Sequence, residues 1–185
     1  MIKPQDRHDP GGKVRIQLKD GIIGDAAFSE CGRYRPLLSR DWTPEGTLPK
    51  SILWIGMNPS TACASASDPT INREMAFSRD WGYTRYIKAN MLDYRSTNPK
   101  DLPINPDDAC SSENLPNILR ALKDVDKVIL AYGKLHSRYH PKVLQTIEAL
   151  RNANATLECL GLNKDGSAKH PLYLRKTLLP FPFPC

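Results

Sequence analysis

The chain has 185 residues, of which 40% are hydrophobic, and its 26 Lys and Arg residues against 20 Asp and Glu residues give a formal net charge of +6. This composition fits one domain (residues 1–185) with a real apolar core, and no apolar run approaches the roughly 20 residues of a membrane span. The first residues lack the apolar stretch of a signal peptide, so we expect a cytoplasmic protein that does not associate with membranes.

The excess of positive charge suits a polyanionic partner such as nucleic acid, although charge alone slightly favours an ordinary charged surface. The chain has five cysteines, an odd number, and none of them forms a CxxC pair. We therefore expect neither a disulfide framework nor a structural zinc site, and the spacing gives no support to an iron–sulfur cluster. The sequence predicts no metal and no cofactor.

The first 50 residues predict an arm followed by a β-ribbon. Residues 1–12 are polar and contain Pro and Gly. Residues 13–19 alternate apolar and polar side chains, which is typical of a half-buried strand. Residues 33–40 are its expected hairpin partner, at an edge because of Pro36. A turn-rich connection joins the two, and the whole ribbon covers residues 13–50.

The segment SILWIGMNPST at residues 51–61 predicts a buried strand that ends at Gly56 and leads into a polar turn. Ligands of open α/β sheets bind beyond the carboxyl ends of the strands. Gly56 would let a ligand approach the backbone, and Pro59 would restrict the backbone of Asn58. Ser60 or Thr61 would cap a following helix. A strand followed by a capped turn without a ligand explains the segment as well.

The remaining chain alternates helices and strands. Asp68 and Pro69 predict the start of a helix at residues 71–80, and apolar spacing predicts two more at 107–124 and 141–151. Short apolar runs predict strands at residues 86–91, 127–132 and 156–160. We therefore predict a three-layer α/β/α fold with a mainly parallel, four-stranded central sheet, a core at residues 51–175 and an irregular proline-rich tail at 176–185.

Several motifs, taken together, resemble a bacterial and phage family catalogued as domain of unknown function 1643. They are CGRYR at residues 31–35, IGMNPSTA, DPTINRE, WGY, the strand ending in Asn90, RSTNP and LGLNKDGSAKHPLYL. The resemblance covers about residues 28–175. The family name itself implies no activity.

A more distant resemblance links the chain to uracil-DNA glycosylase-like proteins. These have a related series in the same order, which here is Gly56-Met57-Asn58-Pro59, Asn90, Tyr132-Gly133 and His170-Pro171. Three features depart from that pattern. No stacking aromatic residue is identifiable in the first motif, Leu-Tyr-Leu replaces Ser after His-Pro, and the DPT motif at residues 68–70 belongs only to the family of unknown function. The resemblance implies the three-layer fold and hydrolysis of an N-glycosidic bond.

Cleavage of that bond places developing charge on the departing base and needs a positioned water. We assign Asn58 to position the water and His170 to donate a hydrogen bond to the leaving base. Asn90 would bind the edge of the base. The alternatives are a turn-forming asparagine, a surface-loop histidine and a strand-end amide bonded to backbone.

The other candidates would bind substrate or nucleic acid. Arg95 would bind a phosphate, Leu172 and Tyr173 would fill the gap left by a flipped base, and Lys169 and Arg175 would contact phosphates. Core packing and a solvated charged face explain the last four residues as well, and Asp68 is more simply explained as a helix cap. The expected substrate-binding residues are Gly56, Pro59, Ser60, Thr61, Asp68, Thr70, Asn90, Arg95 and Gly133.

The sequence thus predicts a base-processing enzyme of DNA-glycosylase type, with DNA as the favoured partner. Two alternatives stay open. One is a binding module for nucleic acid or nucleotides that has no catalytic activity. The other is an enzyme that acts on a free nucleotide or a modified nucleobase.

Overall fold

The computed structural model describes residues 2–12 and 15–184, and the central element is strand β4 (Ser51–Gly56), in which every residue is buried. β4 pairs in parallel with β6 (Arg85–Asn90) on one side and with β7 (Lys127–Leu130) on the other. β7 pairs in parallel with β8 (Leu157–Cys159). A strand covered on both faces needs apolar side chains throughout, which the run Ile52 to Ile55 supplies.

Antiparallel strands complete the sheet at both edges. Beyond β6 lie β3 (Leu37–Asp41) and then β2 (Ile23–Ala27), and beyond β8 lies β9 (Phe181–Pro182). The α/β class is confirmed. The described sheet, however, is a mixed seven-stranded sheet in the order β2-β3-β6-β4-β7-β8-β9, rather than a mainly parallel sheet of four strands. The edge strands add backbone hydrogen bonds that the short apolar runs did not predict.

The pairing predicted for the N-terminal ribbon is wrong. The strand expected at residues 13–19 begins with Lys13 and Val14, which lie outside the described residues; its described part is β1 (Ile16–Gln17), which pairs with β5 (Ala66–Ser67). The hairpin partner of β3 is β2, in a segment expected to be a turn. β2 is difficult to recognise because Gly24 interrupts it. A Cβ at Gly24 would lie 2.1 Å from the carbonyl oxygen of Ala64.

The tail also differs from the prediction, since β9 (Phe181–Pro182) is a short strand rather than irregular chain. It pairs with Glu158 and Cys159 of β8. Phe183, just after β9, packs against the larger apolar cluster. The prolines of the tail argued against a strand, because proline cannot donate a backbone hydrogen bond within a sheet. Pro182 is tolerated because β9 lies at the edge of the sheet.

The described residues form three α-helices, and all three predicted helices are confirmed. α1 (Pro69–Asp80) begins one residue after Asp68, whose side chain accepts a hydrogen bond from the backbone N–H of Ile71 at 2.9 Å. α2 (Asn114–Leu122) starts later than expected, with Pro116 tolerated in its first turn. α3 is His140–Asn152. Among the described helices, none combines the length and apolar character needed to cross a membrane.

Alternate residues of β4 face different helices. Ile52 and Trp54 pack in a cluster with α1, whereas Leu53 and Ile55 pack in a cluster that contains buried residues of α2 and α3. This follows from the two-residue period of a strand. Helices therefore cover both faces of the sheet, and the N-terminus of α1 lies near the carboxyl end of β4.

Candidate functional site

A cavity of about 690 Å³ opens at the carboxyl ends of β4 and β6. The polar turn after β4, the start of α1 and the loop after β8 form its walls. Its volume lies within the range of about 300–1,000 Å³ that is typical of small-molecule sites. Ten of the residues predicted from the sequence line it: Gly56, Asn58, Ser60, Thr61, Asp68, Thr70, Asn90, His170, Leu172 and Tyr173.

The floor of this cavity depends on Gly56. In the parallel register of β4 and β6, Gly56 lies beside Asn90, and Trp54 lies beside Lys88. A Cβ at Gly56 would lie 2.4 Å from Nζ of Lys88 and 2.8 Å from Oδ1 of Asn90. Because real Cβ atoms do not approach other atoms so closely, the absence of a side chain at Gly56 makes room for both polar groups.

Asn90 is the last residue of β6, and only 1% of its surface is exposed. Neither Nδ2 nor Oδ1 of its side chain has a hydrogen-bond partner among the described residues. A buried polar group without a partner costs about 1–3 kcal/mol. Its amide, a donor and an acceptor side by side, is therefore available to a polar ligand.

Lys88 belongs to a buried network beneath the cavity. Its Nζ donates to Oε1 of Glu74 at 2.7 Å, and the hydroxyl of Tyr86 donates to Oε2 of the same carboxylate at 2.6 Å. Burial raises the pKa of Glu74, and the two hydrogen bonds together with the Lys88 charge oppose this effect. Tyr86, Lys88 and Asn90 lie at alternate positions of β6 and so share one face.

Asn58 is held by main-chain carbonyls. Its Nδ2 donates to the carbonyl oxygen of Pro59 at 3.0 Å and to that of Ser96 at 2.7 Å. The same turn is joined to the loop after β6, because Ser96 N–H donates to the carbonyl of Pro59 at 2.9 Å. These bonds fix the plane of the Asn58 amide at the cavity wall.

His170 reaches the cavity through the loop that follows β8. Arg73 of α1 donates a hydrogen bond to the carbonyl of Leu174 and so holds this loop against the helix. Nδ1 of His170 accepts a hydrogen bond from Leu172 N–H at 3.4 Å. In the neutral ring, this bond leaves the proton on Nε2 and makes Nε2 a donor.

The charge of His170 depends on its surroundings. Loss of solvation lowers the pKa of His170 from 6.5 to about 4; the Lys88 ammonium acts in the same direction, and the Asp68 carboxylate opposes it. The imidazole is therefore neutral near pH 7, although the residue as a whole is exposed to solvent. Gly133 (φ +67°) packs against it, since a Cβ there would lie 3.2 Å from Cβ of His170.

The rim combines hydroxyl groups with one exposed aromatic ring. Ser60 Oγ and Thr97 Oγ1 are 2.8 Å apart and close one side. Asp68 is the N-cap of α1, which was the simpler of its two predicted roles, and it also lines the cavity. Tyr173 also lines the cavity, and 92% of its surface is exposed, so its ring is not part of the core.

Five predicted residues do not line the cavity. Pro59 and Gly133 contact residues that do, as described above. Lys169 and Arg175 are exposed near the His170 loop. Arg95 is 2% exposed, and its Nη1 donates to the carbonyls of Gln5, His8 and Gly32.

Arg95 therefore anchors the N-terminal arm instead of facing the cavity. Burial is the main cause that lowers the pKa of Arg95 to about 10. Its guanidinium also lies 5.0 Å from the ring centroid of Phe28. The phosphate expected for Arg95 would have to displace the arm to reach it.

Sequence reasoning missed two cationic residues of the cavity, Lys88 and Arg35. Arg35 is 1% exposed, and its Nη1 donates to the carbonyl of Ala62 at 2.6 Å, while its Nε has no partner among the described residues. The available signal was a Lys inside the otherwise uncharged run YIKAN, because a buried strand seldom contains a charge without a partner.

Among the described residues, no group of three or more His, Cys, Asp or Glu side chains could hold a metal ion.

The comparisons with known proteins give a family but no activity. No curated protein and no solved structure matches the chain. The family model described as "Protein of unknown function (DUF1643)" matches residues 33–172, which is most of the chain. The chain therefore belongs to the DUF1643 family.

Proposed function

We propose that this protein is a base-processing enzyme of DNA-glycosylase type, which hydrolyses the N-glycosidic bond of a flipped, damaged or modified base. The observation that carries the proposal is the meeting of Asn58, Asn90 and His170, from three distant chain segments, at one cavity. The distant resemblance of the same motifs to uracil-DNA glycosylase-like proteins supports it.

The roles follow from the state of each side chain. Asn90 is buried with both amide atoms unpartnered, so it would bind the edge of the base. Nδ2 of Asn58 is occupied by two carbonyls, so Oδ1 is the atom that would accept a hydrogen bond from the attacking water. An amide orients water without removing its proton, which suits a reaction in which the bond to the base breaks early.

The departing base carries negative charge as the bond breaks. Neutral His170 would donate a hydrogen bond to it from Nε2, and the Lys88 ammonium at the floor would stabilise the same charge. The exposed ring of Tyr173, with Leu172 beside it, would occupy the gap left by the base.

The test is incubation with oligonucleotides that carry a panel of damaged and modified bases, with abasic sites detected by strand cleavage in alkali. At least one base should be released. Asn58→Ala and His170→Ala should each slow release by about 100-fold or more. His140→Ala serves as a control, because His140 starts α3 and does not line the cavity. Release of no base, or an unchanged rate in Asn58→Asp, would overturn the proposal.

A second candidate is an enzyme or binding protein for a free nucleotide. It is favoured by the two cations at the cavity, Arg35 and Lys88, which would attract a phosphate. Thermal unfolding with nucleosides and nucleoside monophosphates separates the two. If monophosphates raise the unfolding temperature and nucleosides do not, and no base is released from DNA, this second function is favoured.

A further inference from the structure

A second opening of about 310 Å³ lies beside the cavity, and we call it the basic cleft. Met57 and Pro99 line both openings, so the two are adjacent. None of the residues predicted from the sequence to contact phosphates lies in the basic cleft. Its cationic residues are Lys100, Lys134 and Arg138.

The positive charge of the basic cleft is largely unopposed. No Asp or Glu lines it. Lys134 is 3.9 Å from Asp165, but its side chain is 78% exposed, and exposed pairs of this kind contribute little. Among the described ion pairs, none includes Lys100 or Arg138.

Arg138 is held in place by neighbours other than carboxylates. Its Nε donates to Nδ1 of His136 at 3.1 Å, so the partner is an imidazole rather than a carboxylate. Its guanidinium also lies 5.9 Å from the ring centroid of Tyr139. A guanidinium fixed in this way can offer its remaining N–H groups to a phosphate.

The inner part of the basic cleft is apolar, since Met57, Leu102 and Leu135 line it. Leu102 and Leu135 are 5% and 6% exposed and belong to the large core cluster. An apolar floor with cations at the rim suits a ligand that alternates between apolar sugar or base surfaces and charged phosphates.

We propose that the basic cleft binds the backbone of a DNA strand, at the phosphates next to the nucleotide whose base enters the cavity. This inference deepens the proposed function. It rests on the proposed function only for the claim that a base of the same strand enters the cavity. It also distinguishes a polynucleotide from a free nucleotide, because only a strand fills both openings.

The test measures binding of fluorescein-labelled single-stranded DNA by anisotropy over a series of NaCl concentrations. For single strands, each phosphate contact contributes about 0.7 to the slope of log affinity against log salt. The triple variant Lys100→Ala/Lys134→Ala/Arg138→Ala should reduce that slope by about 2. The control Lys19→Ala/Lys123→Ala/Lys164→Ala removes the same charge from exposed lysines outside both openings, and should change the slope much less.

The failure of this inference can be told apart from failure of the proposed function. Equal slopes in the two triple variants, or no DNA binding by the native protein at low salt, would overturn the inference whatever the activity. A reduced slope in the cleft variant supports it. If that reduction is seen while no base is released from any oligonucleotide, the inference stands and the proposed reaction is wrong.

Discussion

Nζ of Lys88 and Oε1 of Glu74 are 2.7 Å apart, and the two side chains are 5% and 0% exposed. The pair joins the floor of the candidate cavity to α1, because Lys88 is in β6 and Glu74 is in the second turn of the helix. Two charges removed from water in this way are tolerated only as a pair, because either one alone would be buried without compensation. The pair therefore fixes where the Lys88 ammonium lies.

Removal of one partner should leave the other charge uncompensated. We expect Lys88→Met to lower the free energy of unfolding by about 3–5 kcal/mol, because the Glu74 carboxylate stays buried. The double variant Lys88→Met/Glu74→Gln should recover most of that loss. Urea denaturation of the three proteins measures it. A single variant as stable as the native protein would show that the pair is not buried in solution.

The buried, unpartnered side-chain amide of Asn90 should lower the stability of the native protein. Replacement by Leu removes two buried atoms that have no partner, so we expect Asn90→Leu to leave stability unchanged or raise it by about 1–2 kcal/mol while ligand binding is lost. The matched control is Asn114→Leu. Asn114 is equally buried, but its Nδ2 donates to the carbonyl of Asn90 at 3.1 Å, so its loss should lower stability. Equal effects of the two substitutions in urea denaturation would contradict this prediction.

Gly56 should tolerate no side chain. The Cβ of Gly56→Ala would overlap Lys88 and Asn90, so we expect a loss of about 1–3 kcal/mol and a distorted cavity. Gly161→Ala is a suitable control, because the nearest atom to its Cβ, at 3.1 Å, belongs to the flexible side chain of Lys169. Thermal unfolding compares the two variants. A similar small effect of both would mean that Lys88 and Asn90 do not share the space above Gly56.

His170 should titrate below the ordinary pKa of 6.5, toward about 4. Its ring resonances, assigned by comparison with His170→Asn, give the midpoint in an NMR titration. The double variant Lys88→Met/Glu74→Gln should raise that midpoint, because the Lys88 charge lowers it in the native protein. A midpoint at or above 6.5 would show that the ring keeps its ordinary solvation, and it would contradict this prediction.

The same shift predicts how stability depends on pH. Between about pH 6.5 and about pH 4 the unfolded chain binds a proton at residue 170 and the folded chain does not. Stability linked to this group is therefore fully present above pH 6.5 and is lost as the pH falls toward 4. The His170→Asn variant should lack this part of the loss, which urea denaturation at several pH values will show.

Local patterns in the sequence determined much of the framework. The apolar run of β4, the Asp68 cap of α1 and the position of Asn90 at the end of β6 all depend on neighbouring residues, and all are present in the structure. Because the carboxyl ends of strands in such a sheet meet at one edge, the order of motifs also indicated that Asn58, Asn90 and His170 would share a cavity.

Only the tertiary structure decided which charged residues belong to that cavity. Arg95 and Lys88 look similar in sequence, as cations within or shortly after β6, yet Arg95 is bound to carbonyls of the N-terminal arm and Lys88 is directed to the floor by Glu74. The pairing of β1 with β5 is likewise long-range, since it joins Ile16 to Ser67. The partners in these contacts are far apart in the chain, and burial against them decides the outcome more strongly than local propensity does.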